Sequence, residues 1–431
     1  MSTDLVNPMT TSIQRVRLVS WKAPIGYAVI AALSLLLFVG LASDGVATFV
    51  LTEADAAIQL APVDVGARAF GTIVAVLLVL LTGVAFVLAT RRRPVPVWLT
   101  LVFGLLFVVG FLTWAAGAAT QTNTLQVAGL LAGTFGVAVP LIYGSLAGVI
   151  GERAGVVNIA IEGQLLFGAF GAALVATMTG SPWAGLVAAA VAGVLVAFVL
   201  AAFSIRYFVD QIITGVVLNL LVAGLTSFFY SALMTGNPDQ FNDPRLAQFS
   251  RFPIPGLSEI PLLGPMFFEQ TLIGYLAIVA VLVTWFALYR TKWGLRLRSV
   301  GEHPTAADTV GINVNRTRFW NVALGGAIAG IGGASYTIGT GVAFGENMTG
   351  GAGYIALAAV IFGQWDPLKA ALAALLFGFT SNLGSQLSLI GSPVPSVFML
   401  MLPYVVTVLA VAGLVGRSRP PAADGQPYIK S

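Results

Sequence analysis

Long apolar runs recur along most of the chain, and they fix its fold class before any motif is read. Stretches such as 69–90 and 184–205 carry no charged residue. About twenty mostly apolar residues are what an α-helix needs to cross roughly 30 Å of hydrocarbon. A membrane β-barrel would instead show alternating strands of about ten residues, and these runs do not alternate. The sequence of 431 residues is 58% hydrophobic and only 9% charged, whereas soluble domains are about 25% charged. No soluble core could bury that much apolar surface. The expectation is an all-α polytopic membrane protein with about 10–12 transmembrane helices, some short or broken. Its 49 glycines suit close helix packing in lipid.

Spans are expected near 24–43, 69–90, 96–118, 128–150, 163–180, 184–205, 211–234, 270–289, 319–341, 354–363, 368–386 and 396–416. Segment 354–363 is too short to cross alone, so it either extends back through the preceding glycines or forms a broken or re-entrant element. These spans divide the chain into an N-terminal segment (1–23), an extension of three helices (24–125), a core (126–416) and a tail (417–431). The polar leader, with no cleavage site after the first run, predicts no cleavable signal peptide.

Charge orients the chain. With the N-terminus inside, 18 of the 21 basic residues fall on the cytoplasmic side, including Arg15, Arg17, Arg153, Arg206, Arg417 and Lys430. The other side receives Arg68, Arg245 and Arg251, with acids such as Asp44, Glu53, Asp55, Asp64, Asp239, Asp243 and Glu259. Positive loops face the cytoplasm, so both termini are expected there. Net charge of +4 therefore reflects topology rather than nucleic-acid binding. The longest outward segment, 235–270, is rich in Pro, Gly and Asn. It reads either as a turn-rich ledge for an extracellular protein or as an ordinary connection.

Some chemistry is excluded outright. The sequence has no cysteine and one histidine, which removes thiol chemistry and structural zinc. The four lysines, Lys22, Lys292, Lys369 and Lys430, follow Trp, Thr, Leu and Ile. None completes the G-K-[ST] of a phosphate-binding loop. If ATP drives this protein, another chain binds it, with its Mg; no cofactor is expected here.

Three stretches interrupt the apolar pattern. GERAGVVNIAIEG (Gly151 to Gly163) and the residues after it place Asn158, Glu162 and Gln164 beside hydrocarbon. A carboxylate there must be paired or face water. Two readings stand: a broken element beside a translocation path, or a cytoplasmic turn in which Glu162 pairs with Arg153.

The second stretch, Tyr289 to Phe319, holds six Arg/Lys residues, Glu302, Asp308 and the lone His303. Within the loop 290–318, Pro304 suits a first helical position and Gly311 a left-handed cap, which predicts a short helix between them. Such a helix between charged flanks points to contact with a soluble partner; a plain solvated loop is the other reading.

The third, Phe319 to Pro367, carries six glycines between 325 and 339, including the Gly326/Gly330 pair, expected to pack helices. Beyond it, Glu346, Asn347 and Tyr354 are candidates for an outer mouth.

Together with the tail MLPYVVTVLAVAGLVGRSRPPAADGQPY (401–428), the motifs GERAGVVNIAIEG, GLRLRSVGEHPTAADTVGINVNRTR and ENMTGGAGYIALAAVIFGQWDP resemble, in order, a family of permease subunits. It is the branched-chain amino acid/ribose permease superfamily of ATP-binding-cassette importers, and the nucleoside-type branch is the most similar. His303 stands where the family motif G-E-N-P-x-A-A-x-x-x-G-I commonly has Asn. The resemblance covers about residues 128–428, and the first three spans lie outside it.

It implies a plasma-membrane permease that seats a coupling helix, carried by Glu302, His303, Pro304, Ala306, Ala307, Asp308 and Gly311, on a cytoplasmic ABC ATPase with two fused nucleotide-binding halves. It also implies a second, different permease and an extracellular substrate-binding lipoprotein. The implied cargo is a nucleoside, with simple sugars or branched-chain amino acids as alternatives. A nucleoside needs aromatic faces and amide or hydroxyl partners. Asn158, Glu162, Gln164, Phe167, Phe170, Asn219 and Asn347 are the candidates for its path. An ion-coupled secondary transporter is the rival reading, for which Glu162 is the one plausible intramembrane carboxylate.

Overall fold

The computed structural model describes residues 21–53, 56–245, 247–395, 397, 398, 401, 404, 405 and 419–430. Most of the expected span 396–416 lies outside these residues, as do Arg15, Arg17, Asp55 and Arg417. Among the described residues, ten helices are long and apolar enough to cross a membrane, from Lys22–Gly40 to Pro367–Leu389. Each matches one of the expected spans to within a few residues.

Internal contacts divide the chain into two units, Met1–Thr48 with Asp64–Thr124, and Phe49–Val63 with Leu125–Ser431. In the first, α1 (Lys22–Leu35), α2 (Ala67–Thr90) and α3 (Val97–Gly117) pack together. Tyr27 stacks on Phe103 with ring centroids 4.2 Å apart and donates to Thr100 Oγ1 at 2.7 Å. Phe38 is fully buried, and Trp114 Nε1–H donates to the Leu41 carbonyl at 3.0 Å.

The second unit runs through α4 (Val127–Arg153), α5 (Ile161–Thr179), α6 (Pro182–Ala201), α7 (Gln211–Phe229) and the single turn α8 (Pro238–Phe241). It continues through α9 (Leu272–Arg290), α10 (Lys292–Glu302), α11 (Pro304–Thr309), α12 (Val314–Ala334), α13 (Ala352–Phe362) and α14 (Pro367–Leu389). Helix α12 lies at the centre against α4, α5 and α6. It approaches α6 backbone to backbone: a Cβ on Gly326 or Gly330 would strike the carbonyls of Gly193 or Ala189. Without a hydrophobic drive between helices in lipid, such close approach is what holds them together. The packing expected of this glycine run is what the structure shows.

Two breaks in the helical ladder meet inside this unit. After Arg153, Gly155 turns the chain with φ +86°, and residues 154–160 are not helical before α5 starts. Ile161 packs beside Gly144 and Gly148 of α4, so α5 begins about 8–14 Å short of the α4 terminus at 1.5 Å per residue. Helix α13 spans only 11 residues, about 16 Å, and lays Ala356 and Val360 on those same glycines. Gly350 and Gly351 are left-handed, at φ +54° and +87°, so α13 does not extend back through them. It is a half-length helix whose N-terminus enters beside the start of α5.

The polar stretch 290–318 also departs from the expected loop. Most of it is helical, because α10 precedes the short helix read from Pro304 and Gly311. Gly294, Leu297, Val300 and Gly301 form the buried face of α10, a spacing of three and four residues.

Segment 235–271 is turn-rich. Phe252–Pro253 pairs antiparallel with Glu269–Gln270, and Asn242 exchanges two hydrogen bonds with the backbone of Phe344. The Arg245 guanidinium holds the Asp243 carboxyl below its usual range.

Candidate functional site

Where α5 and α13 start, their free N–H groups would be orphaned inside protein unless side chains accept them. Glu162 serves α13. Its Oε1 accepts from Thr349 Oγ1–H at 2.6 Å and Gly351 N–H at 2.9 Å, and its Oε2 accepts from Gly353 N–H at 2.6 Å. An anion at a helix N-terminus is further favoured by the aligned peptide dipoles. Glu162 does not pair with Arg153, so that alternative is corrected. Arg153 instead donates Nε–H to the Trp365 carbonyl at 3.0 Å.

Asn219 serves α5. Its Oδ1 accepts from Gly163 N–H at 2.8 Å, while its amide donates to the Ile159 carbonyl at 2.9 Å and Tyr354 Oη at 3.1 Å. Asn158 and Gln164 bond each other through both amides, at 3.1 and 3.3 Å, and both are buried. Phe167 and Phe170 stack with centroids 6.3 Å apart, and Phe170 meets Phe344 edge-on. Asn347 is exposed, in a left-handed turn at φ +51° two residues before Thr349. Thus the structure gathers Asn158, Glu162, Gln164 and Asn219 around the two broken segments, and commits most of their polar atoms to holding those segments.

At the end of α4 a second assembly forms. Glu152 accepts from Trp365 Nε1–H, and Arg318 of α12 is buried beside Gly155. Helix α10 follows α9 through Thr291, whose Oγ1 accepts from Gly294 N–H at 3.3 Å. Helix α11 starts on Pro304 and ends in a left-handed Gly311 at φ +85°, where Ile312 N–H donates back to the Ala307 carbonyl at 3.1 Å. That is the capped helix expected from the sequence.

Its two alanines differ in burial. Ala306 is exposed, whereas Ala307 is 3% exposed and packs with Val300, Val314 and Tyr428. Glu302, His303 and Gly311 are exposed, and Pro304 and Asp308 are partly so. Sequence reasoning passed over Val310, which is 74% exposed at the end of α11. Val310, Leu295, Lys292, Arg296, Arg316 and Trp320 contribute to the wall of a cavity of about 850 Å³.

Among the described residues, ten long apolar helices and the half-length α13, which enters beside the start of α5, give the architecture of a polytopic membrane protein; the comparisons give its class as a transport permease. The family model described as branched-chain amino acid transport system / permease component matches residues 130–411, and the chain belongs to that family. It is 43% identical over 304 residues to the guanosine ABC transporter permease protein NupQ of Bacillus subtilis, covering 68% of this chain and 94% of that one. It is 40% identical to the nucleoside ABC transporter permease protein NupC of Lactococcus lactis, covering 72% of this chain and 98% of the relative. The putative glucose ABC transporter permease protein TsgC13 of Haloferax volcanii is also 40% identical, over 59% of this chain and 77% of its own. No solved structure gives a significant match.

Proposed function

We propose that this chain is the membrane-spanning subunit through which an ATP-driven importer moves nucleosides into the cell. What carries the cargo assignment is the 43% identity to a guanosine permease along 94% of that protein's length. The relative named for glucose keeps simple sugars as the second reading. Both termini and α11 lie on the cytoplasmic side of the plasma membrane in this reading, in keeping with the excess of basic residues there.

The outward side of α11 (Glu302, His303, Thr305, Ala306 and Val310) seats in an ABC ATPase with two fused nucleotide-binding halves, which binds the ATP and Mg. A second, different permease completes the path, and an extracellular lipoprotein delivers substrate. ATP-driven closure of the ATPase displaces α11, and the helices fixed to it tilt as rigid bodies to change which side the path faces. Asn158, Glu162, Gln164 and Asn219 serve that path by holding its broken walls, while Phe167, Phe170 and Asn347 remain candidates for contact with cargo.

Uptake of labelled nucleosides, sugars and branched-chain amino acids, in cells with and without this chain, tests the assignment. Loss confined to nucleosides is the expected result. Loss confined to another class, or undiminished nucleoside uptake, overturns it.

A further inference from the structure

We infer that the C-terminal tail, Ala422 to Lys430, is a strap that holds α11 rigidly to α12 and so makes it able to transmit force. This rests on the reading of α11 as the contact with the ATPase. A helix of 6 residues cannot hold itself, because isolated helices need about 12–15 residues to be even marginal in water. Something must brace it from behind, and the tail lies there.

The strap is fastened at four places. Ala423 N–H donates to the Gly301 carbonyl at 2.9 Å, and Ala422 N–H donates to Glu302 Oε2 at 3.2 Å, which ties the tail to the end of α10. Arg318 of α12, 2% exposed, donates to the Gln426 carbonyl at 2.7 Å and to the Ala423 carbonyl at 3.4 Å. Tyr428, 8% exposed, fills the space between Val300, Ala307 and Val314. Lys430 Nζ lies 3.7 Å from Asp308 Oδ1.

Gly155 closes the assembly: a Cβ there would lie 2.7 Å from an Arg318 nitrogen and 3.1 Å from the Ala423 carbonyl. The GERAG turn, α10, α11, α12 and the tail therefore form one packed body. Removing the tail takes away the aromatic wedge and the ion pair behind α11, together with the Ala422 N–H on Glu302, and leaves the exposed Thr305, Ala306 and Val310 in place.

The chain has no cysteine, so with partner subunits made free of cysteine, Thr309→Cys, an exposed α11 position outside the residues assigned to the ATPase contact, and Met178→Cys give two sites for spin labels. The distance distribution between them is compared in the full chain, a chain ending at Arg419, Tyr428→Ala and Tyr428→Phe, each purified with its partner subunits. Truncation and Tyr428→Ala are expected to broaden the distribution and to lower ATP-driven uptake by about tenfold, equivalent to about 1.4 kcal/mol of coupling. Both should leave the ATPase bound. Tyr428→Phe keeps the wedge and should retain most of the uptake.

An unchanged distribution in the truncated chain and in Tyr428→Ala overturns the strap, whatever α11 binds. A broadened distribution with undiminished uptake overturns its part in coupling. Failure of the coupling reading itself would show separately, as ATP-driven uptake that survives Ala306→Arg.

Discussion

The Arg318 guanidinium donates to the Gln426 carbonyl at 2.7 Å across 108 residues of sequence. It binds the start of a spanning helix to the end of the chain. Replacing Arg318 with Met should free the tail, since hydrogen bonds from a charged donor contribute about 1.5–3 kcal/mol each and two carbonyls would lose theirs. Limited proteolysis should then cut within 419–430 at least about tenfold faster, in the regime where cleavage tracks the open population. Arg318→Lys should fall between, because an ammonium cannot reproduce the planar fork.

Gly155 is the turn that Arg318 packs upon. Gly155→Ala should destabilise the chain by about 2 kcal/mol, combining the cost of a left-handed alanine with displacement of the guanidinium. A lowered thermal midpoint in detergent, together with faster tail proteolysis, is the expected pair of results.

Glu162 separates the permease reading from ion coupling. Glu162→Ala orphans Gly351 N–H, Gly353 N–H and the Thr349 hydroxyl, at about 1–3 kcal/mol per unsatisfied group. Glu162→Gln retains one carbonyl acceptor and should lose markedly less stability. If Glu162 only caps α13, uptake by Glu162→Gln should show the same indifference to proton and sodium gradients as wild type. A gradient dependence that vanishes in Glu162→Gln would assign it an ion-coupling role instead.

The tail also carries a pH dependence. Burial pushes the Asp424 carboxyl up to about 7, against the pull of the Gly425 amide and the Arg318 guanidinium; Glu152 is the neighbouring carboxylate. A free tail releases that proton near 3.9. The docked state therefore binds more protons between about 4 and 7, and docking weakens as pH rises through that window before levelling off above it. Asp424→Asn should flatten this profile and protect the tail most strongly above pH 7, read as protease resistance against pH. An unchanged profile in Asp424→Asn would assign the dependence to another group.

Much of the fold was legible because apolar runs and charge parity report directly on lipid and water. Ten expected spans reappear as long helices, and the Pro304 and Gly311 signals enclose α11. What remained hidden depended on contacts distant in sequence. Nothing local says that Glu162 caps a helix beginning 190 residues later, so its polarity read equally well as a path residue. Ala306 and Ala307 were indistinguishable until Tyr428 was seen to cover one of them. Helix α10 was the avoidable omission: Gly294, Leu297, Val300 and Gly301 already showed its inner face.

The proposed role of α11 is to carry the drive of ATP into the membrane. Its most direct test is ATP-driven uptake of labelled nucleoside into proteoliposomes holding the complete complex, wild type against Ala306→Arg. Ala306 is exposed, so the variant should fold with an unchanged thermal midpoint. Its uptake should fall at least about tenfold, a loss of about 1.4 kcal/mol or more. Uptake equal to wild type from the folded variant would contradict the claim.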